Sequence, residues 1–290
     1  MKRPGEIIKQ VNAIGTMVEL TGVFKGIASM RIAQIKDQVL QSQDFFSSLW
    51  HIYSQVRVDP LFSFGRSEAN EEAIDKELFI CITAEGGFSG DTDLKLINYM
   101  LKSYDKDKND IIVIGHHGAV MLAQNHVSFQ KYYKLPSKDQ NINVMPIIRE
   151  VQKYKNTIVY YQTYISLMVQ DVKKISLSSA VESEGKNLAS KDSEIISAAT
   201  YILEPSPYAV VDHLERSMMS IALSQVILES KLAQYASRFR AMSAAKDRAD
   251  ETFSESKLMY NRARRALKDE RLKEIINGMR KKTNTMAGGA

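Results

Sequence analysis

The sequence is short of cysteine, and it has a single tryptophan and only six prolines among its 290 residues. One cysteine cannot form a disulfide within the chain, which excludes the small secreted scaffolds that disulfides hold together. Cys81 stands inside the apolar run 78–82. This position favours a small buried side chain over a reactive thiol.

Long hydrophobic runs are also missing. The longest uncharged stretch begins at Ile111 and extends up to Lys131, and glycine, histidine, glutamine and asparagine interrupt it. It therefore predicts no transmembrane helix. Residues 1–6 open into a charged, periodic stretch without the apolar core of a secretory signal. We expect a cytoplasmic protein whose contact with any membrane is peripheral.

Positive charge is concentrated near the C-terminus. The chain carries a formal net charge of +5, and residues 238–282 hold 14 Lys and Arg against 7 Asp and Glu. Such a segment could bind nucleic acid, form a solvated helix face, or contact acidic loops of a protein partner. The basic run 262–282 contains no aromatic side chain that could stack on bases, so nucleic acid ranks last.

The N-terminal segment has the spacing of a coiled coil. Steps of four and three residues from Ile7 fall mostly on apolar side chains: Val11, Ile14, Val18, Thr21, Lys25, Ala28, Ile32, Ile35 and Val39. This period predicts a long helix paired with a partner helix. Three glycines, Gly15, Gly22 and Gly26, lie in the same segment, although each costs a helix roughly 1 kcal/mol. We predict that they allow close approach of the partner backbone.

The C-terminal third has the same spacing from Leu214 to Met242, and it continues less regularly to Ile275. Between Tyr208 and Met279 there is no proline, and the one glycine is Gly278. A single helix on the order of 100 Å is therefore predicted, at ~1.5 Å per residue. A globular domain of this size cannot bury such a helix, so it must pack on the N-terminal helix, on other subunits or against water.

Mixed structure is predicted between the two helices. Strands at 77–83 and 111–114 flank a glycine-rich turn at 85–90 and a helix at 92–103, which is the pattern of a parallel sheet. Further helices are predicted at 120–124 and 147–154, and further strands at 158–161, 172–177 and 201–203. Asp59-Pro60 and the polar residues 65–75 predict a loop after the first helix. The predicted boundaries are 1–58 for the first helix, 76–204 for the central domain, 207–282 for the second helix and 283–290 for a tail.

The loop 86–90 is the one place where backbone amides could cradle a phosphate. It departs from the dinucleotide fingerprint, which needs glycine at Glu85, and from the P-loop, which needs Lys-Ser/Thr where Asp91-Thr92 stands. Asp91 and Asp93 are predicted to serve as helix cap and first-turn acid, where they would repel a phosphate. A tight turn between strand and helix is favoured over a nucleotide site.

No other constellation predicts an active site. His116, His117 and His126 lack a nearby Cys, Asp or Glu in sequence that would complete a metal site, so structural roles are favoured. No motif such as a nucleophile elbow is present. We therefore predict a protein that is not itself an enzyme and has no catalytic residues, no metal and no cofactor.

Several ordered motifs together resemble one known family, the γ subunit or central-stalk rotor of F-type ATP synthases. They cover nearly the whole chain, and the C-terminal ones are the most specific: residues 8–21, the loop 82–90, Gly115-His116-His117-Gly118, Leu203-Glu204-Pro205-Ser206-Pro207, Ser237-Arg238-Phe239-Arg240-Ala241-Met242, Tyr260-Asn261-Arg262-Ala263-Arg264-Arg265 and 272–278. Departures at Glu19, Gly22, 89–91 and 268–271, and an added basic tail at 280–290, indicate a divergent branch or an alternative ATPase.

The resemblance implies an α/β protein with long helices, in which the terminal helices form an antiparallel coiled coil beside a central Rossmann-like domain. It implies a rotor that couples ion flow through a membrane ring to ATP synthesis or hydrolysis, with catalysis on partner β subunits. The implied partners are the ATP synthase α, β and ε subunits and the c-ring, on the cytoplasmic face of the cell membrane. Residues expected at the α/β ring are Phe24, Arg238, Arg264, Arg265 and Met279; those expected on the side of the c-ring and ε are Gly86, Gly87 and Gly90.

Two alternatives come from other classes of protein. A nucleotide-binding α/β enzyme would bind NAD or ATP on the loop 86–90. A free coiled-coil adaptor would be stable and functional without ring subunits. Copurification of ATPase α and β chains with the tagged protein separates the rotor from both.

Overall fold

A computed structural model describes residues 4–56, 74–135, 142–177, 204 and 207–287. The chain forms two compact units, one made of residues 1–26 and 242–290 and the other of residues 27–241. No helix within the described ranges has the length and apolar character needed to cross a membrane.

The chain-end helices are α1 (Pro4–Val56) and α5 (Pro207–Ala287), and the first unit pairs the part of α1 before residue 27 with the part of α5 after residue 241. Ile7 and Val11 of α1 bury a small cluster with Ala263 of α5. Further along α1, Gly15 faces Phe253. Residue numbers therefore rise along α1 while they fall along α5, so the pair is antiparallel, as the resemblance implied.

The glycines of α1 are only partly explained by close packing. A Cβ at Gly15 would lie 3.3 Å from the Phe253 ring, which is a tight contact, but with a side chain and not with the partner backbone that was predicted. At Gly22 the nearest atom is Cε of Lys246, at an ordinary 3.9 Å, and at Gly26 no atom lies within 4 Å. The prediction of close approach is therefore wrong for Gly26, which faces open space.

We expect Gly26→Ala to stabilise the isolated chain by up to about 1 kcal/mol, because alanine favours the helix and nothing obstructs its methyl group. Gly15→Leu should instead destabilise it, because the larger side chain collides with the Phe253 ring. Thermal unfolding followed by helical ellipticity compares the two variants. A lower melting temperature for Gly26→Ala would contradict this explanation.

The second unit contains a five-stranded sheet in the order β3-β2-β1-β4-β5. Its strands are β1 (Ile74–Ile82), β2 (Asn109–Ile114), β3 (Lys131–Tyr133), β4 (Tyr154–Tyr164) and β5 (Gln170–Ser176). Strands β1 to β4 are parallel, whereas β5 runs antiparallel to β4. The helices between them are α2 (Thr92–Leu101), α3 (His116–Gln124) and α4 (Met145–Val151).

Helices cover both faces of this sheet, and for this reason the central strand β1 is apolar on successive residues. On one face Phe79 and Cys81 pack with Leu96 of α2 and Leu122 of α3. On the other face Ile80 and Ile82 share a core with residues of α4 and α5, among them Ile148, Leu223 and Ile227. Cys81 is buried, which confirms the prediction of a small buried side chain, and this burial raises the pKa of its thiol.

The predicted βαβ unit is confirmed, with differences at element ends. Helix α3 begins at His116 instead of 120, and the helix predicted at 147–154 ends at Val151 because Tyr154 already starts β4. The three-residue edge strand β3 was not predicted, since it is too short to show an alternating pattern. The predicted strand 201–203 and nearly all of the predicted loop 59–75 lie outside the described residues. The predicted domain boundaries stay predictions.

Candidate functional site

The candidate site lies at the carboxyl ends of the parallel strands. The chain proceeds from β1 outward to β2 and β3, and then returns to place β4 on the other side of β1. In open α/β sheets such a reversal leaves a crevice at the carboxyl ends, where ligands usually bind. Here that edge carries the loop 83–91, and helix α5 packs against it.

The loop has an unusual backbone. Phe88 and Gly90 both have a φ of +69°. This left-handed conformation suits glycine but costs another residue roughly 1–2 kcal/mol. The Phe88 side chain is 62% exposed, whereas Ser89 beside it is buried and its carbonyl accepts a 3.0 Å hydrogen bond from Thr92 Oγ1. The loop is therefore a specific, fixed turn that directs an aromatic side chain outward.

Two neighbouring residues of α5 bind the carbonyl groups of this loop. Ser237 Oγ donates to the Ser89 carbonyl at 2.6 Å, Arg238 Nε donates to the Gly87 carbonyl at 3.2 Å, and Arg238 Nη2 donates to the Gly86 carbonyl at 3.1 Å. We call these three hydrogen bonds the loop–helix contact. A phosphate site needs amide N–H groups that converge on the ligand. The loop offers carbonyls to α5 instead, which supports the tight-turn interpretation.

Beneath the loop, Asp93 is the centre of a buried polar network. Its carboxylate accepts hydrogen bonds from the Ala84 amide at 3.2 Å and from Gln162 Nε2, and its second oxygen lies 3.0 Å from His117 Nδ1. Only 2% of Asp93 is exposed. This carboxylate therefore binds protein donors from the ends of β1, α3 and β4.

The prediction that the Asp91 side chain caps α2 is wrong. Asp91 stands at the N-cap position but makes no capping hydrogen bond with its side chain. Its carboxylate instead pairs with Lys95 at 2.9 Å on the solvent side of the helix. The hydrogen bond from Lys95 lowers the pKa of Asp91 below its ordinary value.

The turn from β2 into α3 depends on two glycines packed against Thr83. Gly115 has a φ of +101°, and a Cβ there would lie 2.1 Å from the Thr83 carbonyl oxygen. The Gly118 amide donates to Thr83 Oγ1 at 2.9 Å. Glu85 completes the turn, because its carboxylate accepts from the backbone amides of His116 and Leu135, each at 3.2 Å.

Two of the three histidines predicted to be structural lie in this region, and the third lies at the far end of α3. His117 pairs with Asp93, and His116 contributes its backbone amide. His126 has a φ of +56° just beyond the end of α3. Within the part of the chain that the structure describes, no three His, Cys, Asp or Glu side chains are grouped so that they could hold a metal ion.

Two further contacts link α5 to the ends of β4 and β5. Thr163 donates to the Glu229 carboxylate, and burial together with this carboxylate raises the pKa of Tyr161. Arg240 Nη1 donates to the Met168 carbonyl at 2.8 Å in the β4–β5 hairpin. Sequence reasoning missed both contacts, since neither lies on an apolar periodicity. In the sequence, the only indication of these contacts was a polar residue between the regularly spaced apolar positions of α5.

The structure places the residues expected at partner subunits as follows. Phe24 is half-buried on α1, while Arg264, Arg265 and Met279 are exposed on the C-terminal part of α5. Arg238, expected at the α/β ring, binds Gly86 and Gly87, which were expected on the side of the c-ring and ε. A Cβ at Gly90 would lie 3.6 Å from Ser237 Oγ. The structure thus brings Arg238 together with Gly86 and Gly87, and Ser237 together with Gly90, and the assignment of all these residues to partners stays a prediction.

Comparison with known sequences gives consistent matches over nearly the full length of the chain. A family model described as ATP synthase matches residues 5–280. The ATP synthase gamma chain of Halothermothrix orenii is 24% identical over 96% of this chain and 98% of its own length. That of Mycoplasmoides gallisepticum is 22% identical over 95% of this chain and 98% of its own.

Solved structures share the fold. A chain of the Euglena gracilis mitochondrial ATP synthase, in a structure of OSCP, F1 and the c-ring, aligns with a TM-score of 0.62 and 17% identity, covering 98% of this chain and 96% of its own. A chain from the central stalk and c-ring of the Tetrahymena thermophila enzyme aligns with a TM-score of 0.55 and 15% identity, covering 78% of this chain and 99% of its own. Since the family model spans nearly the whole sequence and the curated relatives are gamma chains, the chain belongs to the ATP synthase family, among its γ chains.

Proposed function

We infer that this chain is the γ subunit of an F-type ATP synthase, the rotor of its central stalk. It couples ion flow through a membrane ring to ATP synthesis or hydrolysis on a ring of α and β subunits. The observation that carries this function is the match of the whole chain to γ chains, with helices from both chain ends paired antiparallel. Catalysis takes place on the partner β subunits, so this chain is a non-catalytic subunit.

The first unit has the two properties that a rotor shaft requires. Stiffness comes from the antiparallel pairing of α1 with the part of α5 after residue 241, which supports each helix along its length. Asymmetry comes from their different surfaces. On α1, Met17, Leu20 and Val23 are 62%, 52% and 58% exposed, whereas α5 presents basic residues such as Arg262, Arg264 and Arg265. Catalytic subunits that face different sides of such a shaft would be stabilised in different conformations.

The proposed partners are the α and β subunits, the ε subunit and the c-ring. The matched structures are described as a rotor, a central stalk with c-ring and an F1 with c-ring, which supports these partners. Phe24, Arg264, Arg265 and Met279 are proposed to face the α/β ring, and the loop 86–90 the side of the c-ring and ε. The chain would then lie peripherally on the cytoplasmic face of the cell membrane.

We expect the tagged chain, purified gently from its native cell, to bring down ATPase α and β chains together with ATP hydrolysis activity. Mass spectrometry of the copurified proteins and a hydrolysis assay provide the measurement, and cells that express the tag alone provide the control. Recovery of the chain without α and β would exclude the rotor. Titration of the isolated chain with NAD and ATP tests the enzyme alternative, which predicts binding at the loop 86–90.

A further inference from the structure

Helix α5 contacts the α/β domain through two kinds of interaction. Its earlier part is apolar: Met218, Leu223 and Ile227 are buried against the sheet. Apolar contact determines which face of the helix is buried, but it is not directional, so it sets the rotation of the helix about its axis less sharply than hydrogen bonds do. The later part is polar, and hydrogen bonds depend steeply on direction. The later contacts come from Glu229, Ser237, Arg238 and Arg240.

We propose that the loop–helix contact fixes the rotational position of the α/β domain on α5, which makes Arg238 and Ser237 positioning residues for energy coupling. This inference rests on the function proposed above. A rotor driven through its α/β domain must pass torque to α5. The loop–helix contact lies at residues 237 and 238, just before α5 leaves this unit at Ala241.

The geometry of Arg238 suits this role better than that of a residue which binds a partner. Its guanidinium donates to two loop carbonyls through separate nitrogen atoms, and it lies over the Tyr235 ring at 5.5 Å. The planar guanidinium has rigidly placed donors, so it can hold two acceptors at once, whereas a lysine ammonium acts as a single point charge. These three internal contacts define the direction in which the side chain extends.

The loop itself indicates that the contact holds it in place. Phe88 keeps a left-handed backbone that an isolated turn would avoid, and Ser89, between Phe88 and Gly90, is buried with its carbonyl bound to Ser237 Oγ. Strained residues persist where the surroundings determine the conformation. Loss of the donors on α5 should therefore loosen residues 86–90 and weaken the rotational connection.

The test uses the assembled ATP synthase carrying Arg238→Ala or Arg238→Lys. We expect the ratio of ions pumped to ATP hydrolysed to fall at least twofold in both variants. Amide exchange in residues 86–90 should rise by at least tenfold. Arg238→Lys separates a positioning role from a partner-binding role. Lysine keeps the charge that an acidic partner would attract, but it cannot hold the two loop carbonyls at once. Arg216→Ala is the matched control on the same helix, since Arg216 pairs with Asp212 on α5 itself. It should leave both measurements within error.

A covalent link can replace the contact. A Cβ at residue 90 would lie 3.6 Å from Ser237 Oγ, so Ser237→Cys with Gly90→Cys places the two sulfurs within reach of a disulfide, at the cost of a cysteine held at the left-handed φ of +69°. In the Arg238→Ala background, oxidation of this pair, checked by mass spectrometry of the linked peptide, should restore the ratio, and reduction should lower it again. Arg238→Ala alone, treated with the same oxidant, is the control.

The outcomes separate this inference from the proposed function. A wild-type chain that fails to assemble with α and β overturns the function itself. An assembled enzyme whose ratio is unchanged by Arg238→Ala, or is lowered by alanine but not by lysine, overturns the positioning role. A ratio that stays low in the oxidised double-cysteine enzyme also overturns it.

Discussion

Replacing Gly115 with alanine is expected to destabilise the α/β domain by about 4 kcal/mol or more, the range in which single substitutions become exceptional. Two costs coincide at this position. The φ of +101° is unfavourable for any residue with a side chain, and the added Cβ would lie 2.1 Å from the Thr83 carbonyl oxygen and 2.7 Å from its carbon. The obstructing atoms belong to the backbone of a residue beside β1, so they cannot move aside without disturbing the sheet.

Amide exchange of β1 and β2, measured against urea concentration, reports the stability of the α/β domain separately from that of the long helices. Gly86→Ala is the matched control in the same region, because the nearest atom to its added methyl would be Nη2 of Arg238, at an ordinary 3.8 Å. It should cost less than about 1 kcal/mol. Equal stability of Gly115→Ala and Gly86→Ala would show that Thr83 can move away.

The sequence predicted the sheet where local pattern and packing agree. The run 78–82 is apolar on successive residues because helices cover both faces of β1, and this made the strand recognisable. The edge strand β3 has three residues and no buried side chain, so it had no such pattern. The long helices were predicted from the regular spacing of their apolar residues. The role of Gly26 in α1 was predicted wrongly, since spacing does not reveal what faces a residue.

The candidate site was less predictable, because it depends on residues far apart in the chain. The glycine-rich loop was recognised from its composition, and its amides were weighed as a phosphate cradle. The partners of that loop, Ser237 and Arg238, lie about 150 residues later, and their donors select its carbonyls. Asp91 and Asp93 are the same type of residue two positions apart, yet Asp91 is exposed and Asp93 is the centre of a buried network. Only the three-dimensional arrangement separates them.

Substitution of Asp93 by alanine is the second change with a large expected effect, a loss of about 3 kcal/mol in the stability of the α/β domain. The carboxylate is the common acceptor for the Ala84 amide, Gln162 Nε2 and His117 Nδ1. Its removal leaves the buried Ala84 amide and Gln162 Nε2, together with the half-buried His117, without this acceptor, and each buried unsatisfied group costs on the order of 1–3 kcal/mol. Because the donors lie on three different elements, the loss should also loosen the turn between β1 and α2.

Asp91→Ala supplies the matched control two residues away. Its carboxylate is exposed and pairs with the exposed Lys95, an arrangement that contributes at most about 1 kcal/mol. Urea unfolding, monitored through amide exchange of β1 and β4, should therefore give Asp93→Ala a free energy of unfolding about 2 kcal/mol or more below that of Asp91→Ala. If the two variants unfold at the same urea concentration, the Asp93 carboxylate does not hold this edge of the sheet together. If Asp93→Ala unfolds earlier, the fold depends on the buried member of this pair of aspartates.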